Sequence, residues 1–534
     1  MPFWNKRTEH DAQNATTVER APAPVRKSAP FIAWLLGFVA SIGGFMFGYQ
    51  SGQISGYFQM SDYCARFGVT AADGTCSFPP LRQGTITANL CAGALVGAII
   101  AGKMADLIGR RMSVSVSAFF CMIGTIIEIS SSQHWAQYAV GRGIGGIGIG
   151  ALSVCVPMYQ SESAPMAIRG VLVASYQLFI TLGIWTGAMV DYGTHDAYTN
   201  SAQWRIPSGL SFIWAVILGC GMLFLPESPR YAYRKGREDE ARAVIARLAG
   251  ISPDDDEVNH QINDIRVKLE EESAAVDTSI FEIFTGPRMF YRTMLGITLQ
   301  AGQQLTGANF FFYYGTTVFA ATGLKDSYVT QIILDSVNVF CTFGGLWVSA
   351  KVGRRKALMY GAAWSFMCFM IYSFVGHFID PKTSNTSGNV LIVFSCFFIV
   401  AFATTWGPLV WTIVAELYPA KYRAPCMALA TASNWGWNFL ISLFTQLIVG
   451  DIDYLYGLVF GGCCFALFWI VYFFVIESKD RSLEEIDTMY ILHVNPITSS
   501  KWDGSKVPED AMATGMFHGG ESKPVSRVPS KEQV

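Results

Sequence analysis

The stretch Gln303-Gln304-Leu305-Thr306-Gly307-Ala308-Asn309 sets three carboxamides inside a long apolar run, Met294 to Ala321. An amide left unpaired in an apolar medium costs about 4–8 kcal/mol, so these side chains must find partners. On a helix, Gln303 and Gln304 lie on one side, and Asn309 follows about one and a half turns later within reach of it. Carboxamides offer donors and acceptors together, as a neutral polyhydroxyl ligand requires. Membrane amides also serve as glue between helices. These residues alone leave both roles open.

No nucleophile–base set and no metal-spaced cluster stands out in the chain, so neither an enzyme nor a cofactor is expected. The 534 residues are 51% hydrophobic, 14% aromatic and only 15% charged. Mean hydropathy is +0.33, and soluble domains carry about 25% charged residues. The composition predicts an all-α, polytopic membrane protein whose surroundings are a lipid bilayer. A net charge of −2 argues against nucleic acid as a partner.

Twelve apolar segments of about 20 residues are predicted. They span 31–58, 83–105, 112–131, 135–158, 171–191, 206–225, 292–320, 328–349, 357–378, 389–412, 425–448 and 456–476. Loops after even-numbered segments hold most of the Lys and Arg, including Arg110, Arg111, Arg169, Arg354, Arg355 and Arg423. The bias, roughly 20 against 5, places both termini in the cytoplasm. The sequon Asn385-Thr386-Ser387 then falls on an outer loop as a glycosylation acceptor, and the one at Asn14 on the cytoplasmic tail. Residues 1–28 show no cleavable signal, and the first segment is expected to direct insertion. Among 12 cysteines, Cys64 and Cys76 share one loop and would be free to pair if it faces outside.

The chain repeats itself. Gly109-Arg110-Arg111 returns as Gly353-Arg354-Arg355, Glu162-Ser163-Ala164-Pro165 as Glu416-Leu417-Tyr418-Pro419, and Glu227-Ser228 as Glu477-Ser478. A duplicated six-helix half explains the spacing, and two halves around a central site is a transporter plan. The expected organisation is a tail (1–28), a first half (29–225), a charged helical linker (226–290), a second half (291–476) and a polar tail (477–534), disordered from about residue 490.

The loop Gly102-Lys103-Met104-Ala105-Asp106-Leu107-Ile108-Gly109-Arg110-Arg111 resembles the signature loop of the major facilitator superfamily. More narrowly, the chain resembles the sugar porter family, and within it the fungal hexose transporters. The likeness is carried by Gly141-Arg142-Gly143, Pro226-Glu227-Ser228-Pro229-Arg230, the Gln303–Asn309 stretch, Glu416-Leu417-Tyr418-Pro419 and the run from Glu477 to Glu485. Ala350 departs from the pattern, standing where an acid is usual.

The resemblance implies a plasma-membrane carrier of a hexose, with glucose foremost. Its monosaccharide would lie between the halves, against Gln177, Gln303, Gln304, Asn309, Asn338 and Asn434, with the indole of Trp411 on the sugar face. Physically this is sensible, because a pyranose has an apolar face and a rim of hydroxyls. The family also implies an inner charge network of Asp106, Arg110, Glu162, Arg169, Glu227, Arg230, Arg354, Glu416, Arg423 and Glu477 that holds the outward-facing state and breaks as the site opens inward. Solvated interface charges, worth about 0–1 kcal/mol per pair, are the alternative. Phe310 to Tyr314 would either gate the site or simply pack.

Proton-coupled members resemble this chain but carry an acid at the position of Gln50, paired with the arginine that is Arg142 here. Gln50 cannot ionise, which favours facilitated diffusion. Glu128, Asp191 and Asp335 lie toward the predicted outer ends and are expected to be solvated. A symporter with protons as second partner, a transporter-like sugar sensor, and a porter for pentoses, polyols or disaccharides remain as alternatives.

Overall fold

The computed structural model describes residues 30–502 except 73–74, 166–167, 275–281, 287, 321–325, 380, 382–383, 420–421, 480 and 482. The N-terminal tail with Asn14, and the tail beyond 502, lie outside the described residues, as do the side chains of Ala350 and Asn385.

The first half runs through α1 (Phe31–Tyr57), a short α2 (Ser61–Phe67), hairpin strands β1 (Val69–Thr70) and β2 (Cys76–Ser77), α3 (Pro80–Ile108), α4 (Arg110–Ser130), α5 (Trp135–Ser163), α6 (Arg169–Ala197) and α7 (Ala202–Phe224). The linker forms α8 (Pro229–Arg234), α9 (Glu238–Ala249), α10 (Asp256–Ala274) and α11 (Glu282–Thr285). The second half holds α12 (Met289–Leu305), α13 (Ala308–Ala320), α14 (Ser327–Lys351), α15 (Arg354–Phe378), α16 (Asn385–Ala401), α17 (Gly407–Leu417), α18 (Arg423–Ile452) and α19 (Tyr456–Phe474), and α20 (Leu483–Ile491) follows. Nine helical runs among the described residues are long and apolar enough to cross a membrane. One of them, Pro425–Phe474, contains both α18 and α19, so the nine runs hold ten of the twelve expected segments. The other two are α12 with α13, and α14.

Small residues let the helices approach. A Cβ added to Gly93 on α3 would stand 1.9 Å from the carbonyl of Gly143 on α5, and one on Gly150 would stand 1.9 Å from that of Ala94. The glycine run of the fourth segment is therefore a packing surface. The seventh segment is two helices, because Gly307 adopts φ +90° between α12 and α13. A Cβ there would lie 2.7 Å from Phe460 Cγ. Gly307→Ala combines a left-handed penalty of about 1–2 kcal/mol with that clash, and it should lower the melting midpoint and the surface level of the protein. Cell-surface labelling and thermal unfolding in detergent would measure this.

The halves share apolar packing away from the arginine-rich end. One core cluster joins residues of the first half to Phe310, Tyr314, Tyr372, Trp435 and Phe460. A separate cluster at the arginine-rich end, with Leu295, Ile413, Cys426 and Met489, is built by the second half, α20 and Ile283 of α11. Bonds between the halves follow the shared core. Ser55 and Thr316 are hydrogen-bonded at 3.0 Å, Tyr328 donates to the Gly56 carbonyl at 2.7 Å, and Trp185 donates to Ser336 at 2.9 Å. At the end away from the arginines, Cys64 and Cys76 form a disulfide that ties α2 to the hairpin.

Two expectations need correction. Glu128, Asp191 and Asp335 are not solvated: they are 5%, 0% and 0% exposed. Position along a helix gives depth but not direction, and each of the three turns inward. Glu128 packs on Gly141 of α5, Asp191 on Gly56 of α1, and Asp335 accepts two bonds from Gln331. The tail also stays ordered past residue 490. Met489 and Tyr490 are buried, Arg292 pairs with Asp487 at 2.5 Å, and Ser499 accepts from the Glu477 amide at 3.0 Å. These apolar and charged anchors hold a segment whose composition alone looked disordered.

Candidate functional site

The amides of α12, α13 and α18 form one cluster. Gln304 donates through Nε2 to Asn434 Oδ1 at 3.0 Å and accepts from Asn309 Nδ2 at 2.5 Å. Asn434 Nδ2 donates to Gln303 Oε1 at 2.8 Å and to Gln300 Oε1 at 2.7 Å. Gln303 Nε2 reaches the backbone carbonyls of Trp406 and Gly407 at 2.9 and 2.8 Å. Those carbonyls lie where α16 passes into α17 through a π-helical turn, Phe402–Trp406. Pro408 explains the turn: it has no N–H to give, and its ring crowds the carbonyl four residues back. Side-chain donors are expected to stabilise irregular backbone at membrane depth.

Of the residues singled out in the sequence, Gln303, Gln304, Asn309 and Asn434 thus come together. Gln177 on α6 and Asn338 on α14 make no side-chain hydrogen bond among the described residues, so their amides remain available. Trp411 is half-buried on α17, about one turn beyond Gly407. Gln300, fully buried, was missed, although it sits one turn before Gln303 and Gln304 on the same helix face. Asn438 was missed too. It follows Asn434 by one turn and accepts from Cys91 of the first half at 3.4 Å. Phe310 and Phe311 pack on Phe460 and Phe369 at ring separations of 5.9 Å each, and Tyr314 donates to the Ser442 carbonyl.

The arginine-rich end repeats one construction twice. In the first half Arg110 donates to Glu162 at 2.9 and 3.1 Å and to Asp106 at 3.2 Å. Ser228 donates to Glu162 at 2.5 Å, and Glu227 accepts the backbone N–H groups of Arg110 and Arg111 at 3.0 and 3.1 Å. In the second half Arg354 donates to Glu416 at 3.2 Å, Ser478 donates to Glu416 at 2.6 Å, and Glu477 accepts the Arg354 amide at 2.9 Å. Arg169 and Arg423 each bond the carbonyl five residues back, those of Ala164 and Tyr418, both at 3.2 Å through Nη2. Arg230 lines a cleft with Glu162, Arg169 and Asp264. The Arg110–Glu162 and Arg354–Glu416 pairs each lie within one half, so they brace the halves individually.

Deeper in the first half, Arg142 is 1% exposed and donates through Nη1 to the Gln50 carbonyl at 3.0 Å. Gln50 itself is 3% exposed.

Two pseudo-symmetric helical halves, joined at one end, with a buried amide cluster in the second, define a membrane transporter. Residues 36–490 match the family model described as "Sugar (and other) transporter". The low-affinity glucose transporter HXT1 of Saccharomyces cerevisiae is 42% identical over 97% of this chain and 92% of its own. Hexose transporter 2 of Kluyveromyces lactis is 42% identical over 93% of this chain and 89% of its own. The galactose transporter of S. cerevisiae is 42% identical, over 88% and 83%. The fold is shared with the inward open conformation of the xylose transporter XylE from E. coli (TM-score 0.71, 23% identity, 86% of this chain and 99% of that one). The chain belongs to the sugar transporter family.

Proposed function

We propose that this protein carries hexoses, with glucose foremost, across the plasma membrane by alternating access, as a facilitator. The observation that carries the proposal is the amide cluster of Gln303, Gln304, Asn309 and Asn434, on helices of which α18 meets the first half one turn further on, where Asn438 accepts from Cys91. The cluster's donors and acceptors pair with one another here, and exchanging amide–amide bonds for amide–hydroxyl bonds is nearly neutral. Gln177 and Asn338 would add amides from either side, and Trp411 an apolar platform. The names of the relatives, glucose, hexose and galactose transporters, support the substrate class. The arginine-rich end would face the cytoplasm, and the structure then corresponds to a state closed to the outside. Each braced half would move as a unit.

The test is uptake of radiolabelled glucose in yeast cells stripped of their own hexose transporters, with and without a protonophore. The expected result is uptake that equilibrates and ignores the protonophore. Accumulation that collapses with the proton gradient would make the protein a symporter, a reading favoured by its buried carboxylates. No uptake despite protein at the surface would overturn the hexose assignment.

A further inference from the structure

Arg142 presents a problem that the transport reading leaves unsolved. A guanidinium has five N–H donors and stays charged, and burying it without a negative partner costs several kcal/mol. Here Nη1 finds the Gln50 carbonyl, but Nε and Nη2 are buried with no hydrogen-bond partner. The first membrane helix offers only a neutral side chain at this place, Gln50.

The missing charge stands on α4, the third membrane helix. Glu128 on α4 is 5% exposed, and its Oε1 has no hydrogen-bond partner. Gln50 Oε1 is equally without one. Both orphan oxygens border Gly145 of α5: a Cβ there would stand 3.8 Å from Glu128 Oε1 and 3.7 Å from Gln50 Oε1. Gly145 follows Arg142 by three residues on α5, so it lies on the same helix face. The absence of a side chain at Gly141 is what admits the Glu128 side chain, whose Cγ lies 2.9 Å from the place of a Cβ there. Glu128 is a carboxylate that acts electrostatically on Arg142. Unused donors and unused acceptors of opposite charge thus share one buried space between α1, α4 and α5.

We infer that Glu128 is the counter-charge of Arg142, supplying from the third membrane helix the negative charge that the first lacks, with the Gln50 amide beside the pair. Glu128 is a positioning residue: it holds Arg142 against the backbone of α1 and so fixes α1, α4 and α5 as one body. The inference concerns the balance of charge and stands without the hexose assignment, although one of its readouts uses uptake.

The experiment compares the full-length wild type, Glu128→Gln, and the relocated pair Gln50→Asp/Glu128→Gln. Each is assayed for surface level, thermal unfolding in detergent and glucose uptake per molecule. Glu128→Gln should lower the melting midpoint and reduce uptake about tenfold or more. The double substitution returns one negative charge to Arg142 from α1 and should recover both. Packing of the Glu128 side chain alone would not produce this rescue, because position 128 remains Gln. A wild-type-like Glu128→Gln, or a double variant as impaired as the single one, would overturn the inference. If Glu128→Gln fails to accumulate, accumulation of the double variant decides alone, its presence supporting the pairing and its absence overturning it. If the wild type takes up no glucose, the hexose proposal falls while the unfolding series still decides this one.

Discussion

Gln304→Ala is expected to abolish most hexose uptake while leaving the protein at the cell surface. Gln304 is the bridge of the amide cluster, giving a hydrogen bond to Asn434 and taking one from Asn309. Its removal strands an acceptor on α18 and a donor on α13. An unsatisfied buried group costs about 1–3 kcal/mol, and each 1.4 kcal/mol is about a factor of ten in binding. Uptake should fall at least about tenfold, mainly through weaker sugar binding, with a smaller loss of stability because Gln300 and Gln303 still hold Asn434. Gln303→Ala should behave differently. That side chain fastens the π-helical turn through the carbonyls of Trp406 and Gly407, so its loss should appear first in the melting midpoint. Concentration-dependent uptake and thermal unfolding on both variants separate the roles. Normal uptake by Gln304→Ala would remove the stretch from its central place.

The cluster also shows what a sequence can and cannot convey. Gln303, Gln304 and Asn309 were legible because three amides in an apolar run violate the composition around them. Their mutual reach was inferred from an unbroken helix, whereas Gly307 breaks it, and Asn309 reaches Gln304 across the break. The charged ends were legible because the motifs repeat in order, and Glu162 and Glu416 occupy matching places. Gln300 was hidden by its fit to helical spacing, with nothing but its face to mark it. Glu128, Asp191 and Asp335 were misjudged for a related reason. Each lies near a helix end, but whether a residue there meets water depends on its neighbours in space. For Glu128 the neighbour is Gly141 of α5, too small to keep the side chain out.

Because the two halves repeat one construction, equivalent substitutions should have unequal effects, and burial fixes the order. Glu162 and Arg110 are 9% and 5% exposed, against 21% and 19% for Glu416 and Arg354. Glu162→Ala leaves a buried guanidinium without its two-bond partner and Ser228 without its acceptor. Breaking a buried pair on one side typically costs about 3–5 kcal/mol. Glu416→Ala acts on a pair that water already reaches, where an ion pair contributes about 0–1 kcal/mol, to which the lost Ser478 bond adds about 0.5–1.5 kcal/mol. Surface level and melting midpoint should therefore drop sharply for Glu162→Ala and modestly for Glu416→Ala. Glu162→Gln should fall between wild type and Glu162→Ala, because an amide can still accept from Ser228 and Arg110 but carries no charge. Equal losses in the two halves would mean that burial does not set the strength of these pairs. A larger loss at Glu416 would mean that the second pair bears the load between the halves during transport, which a brace confined to one half could not do.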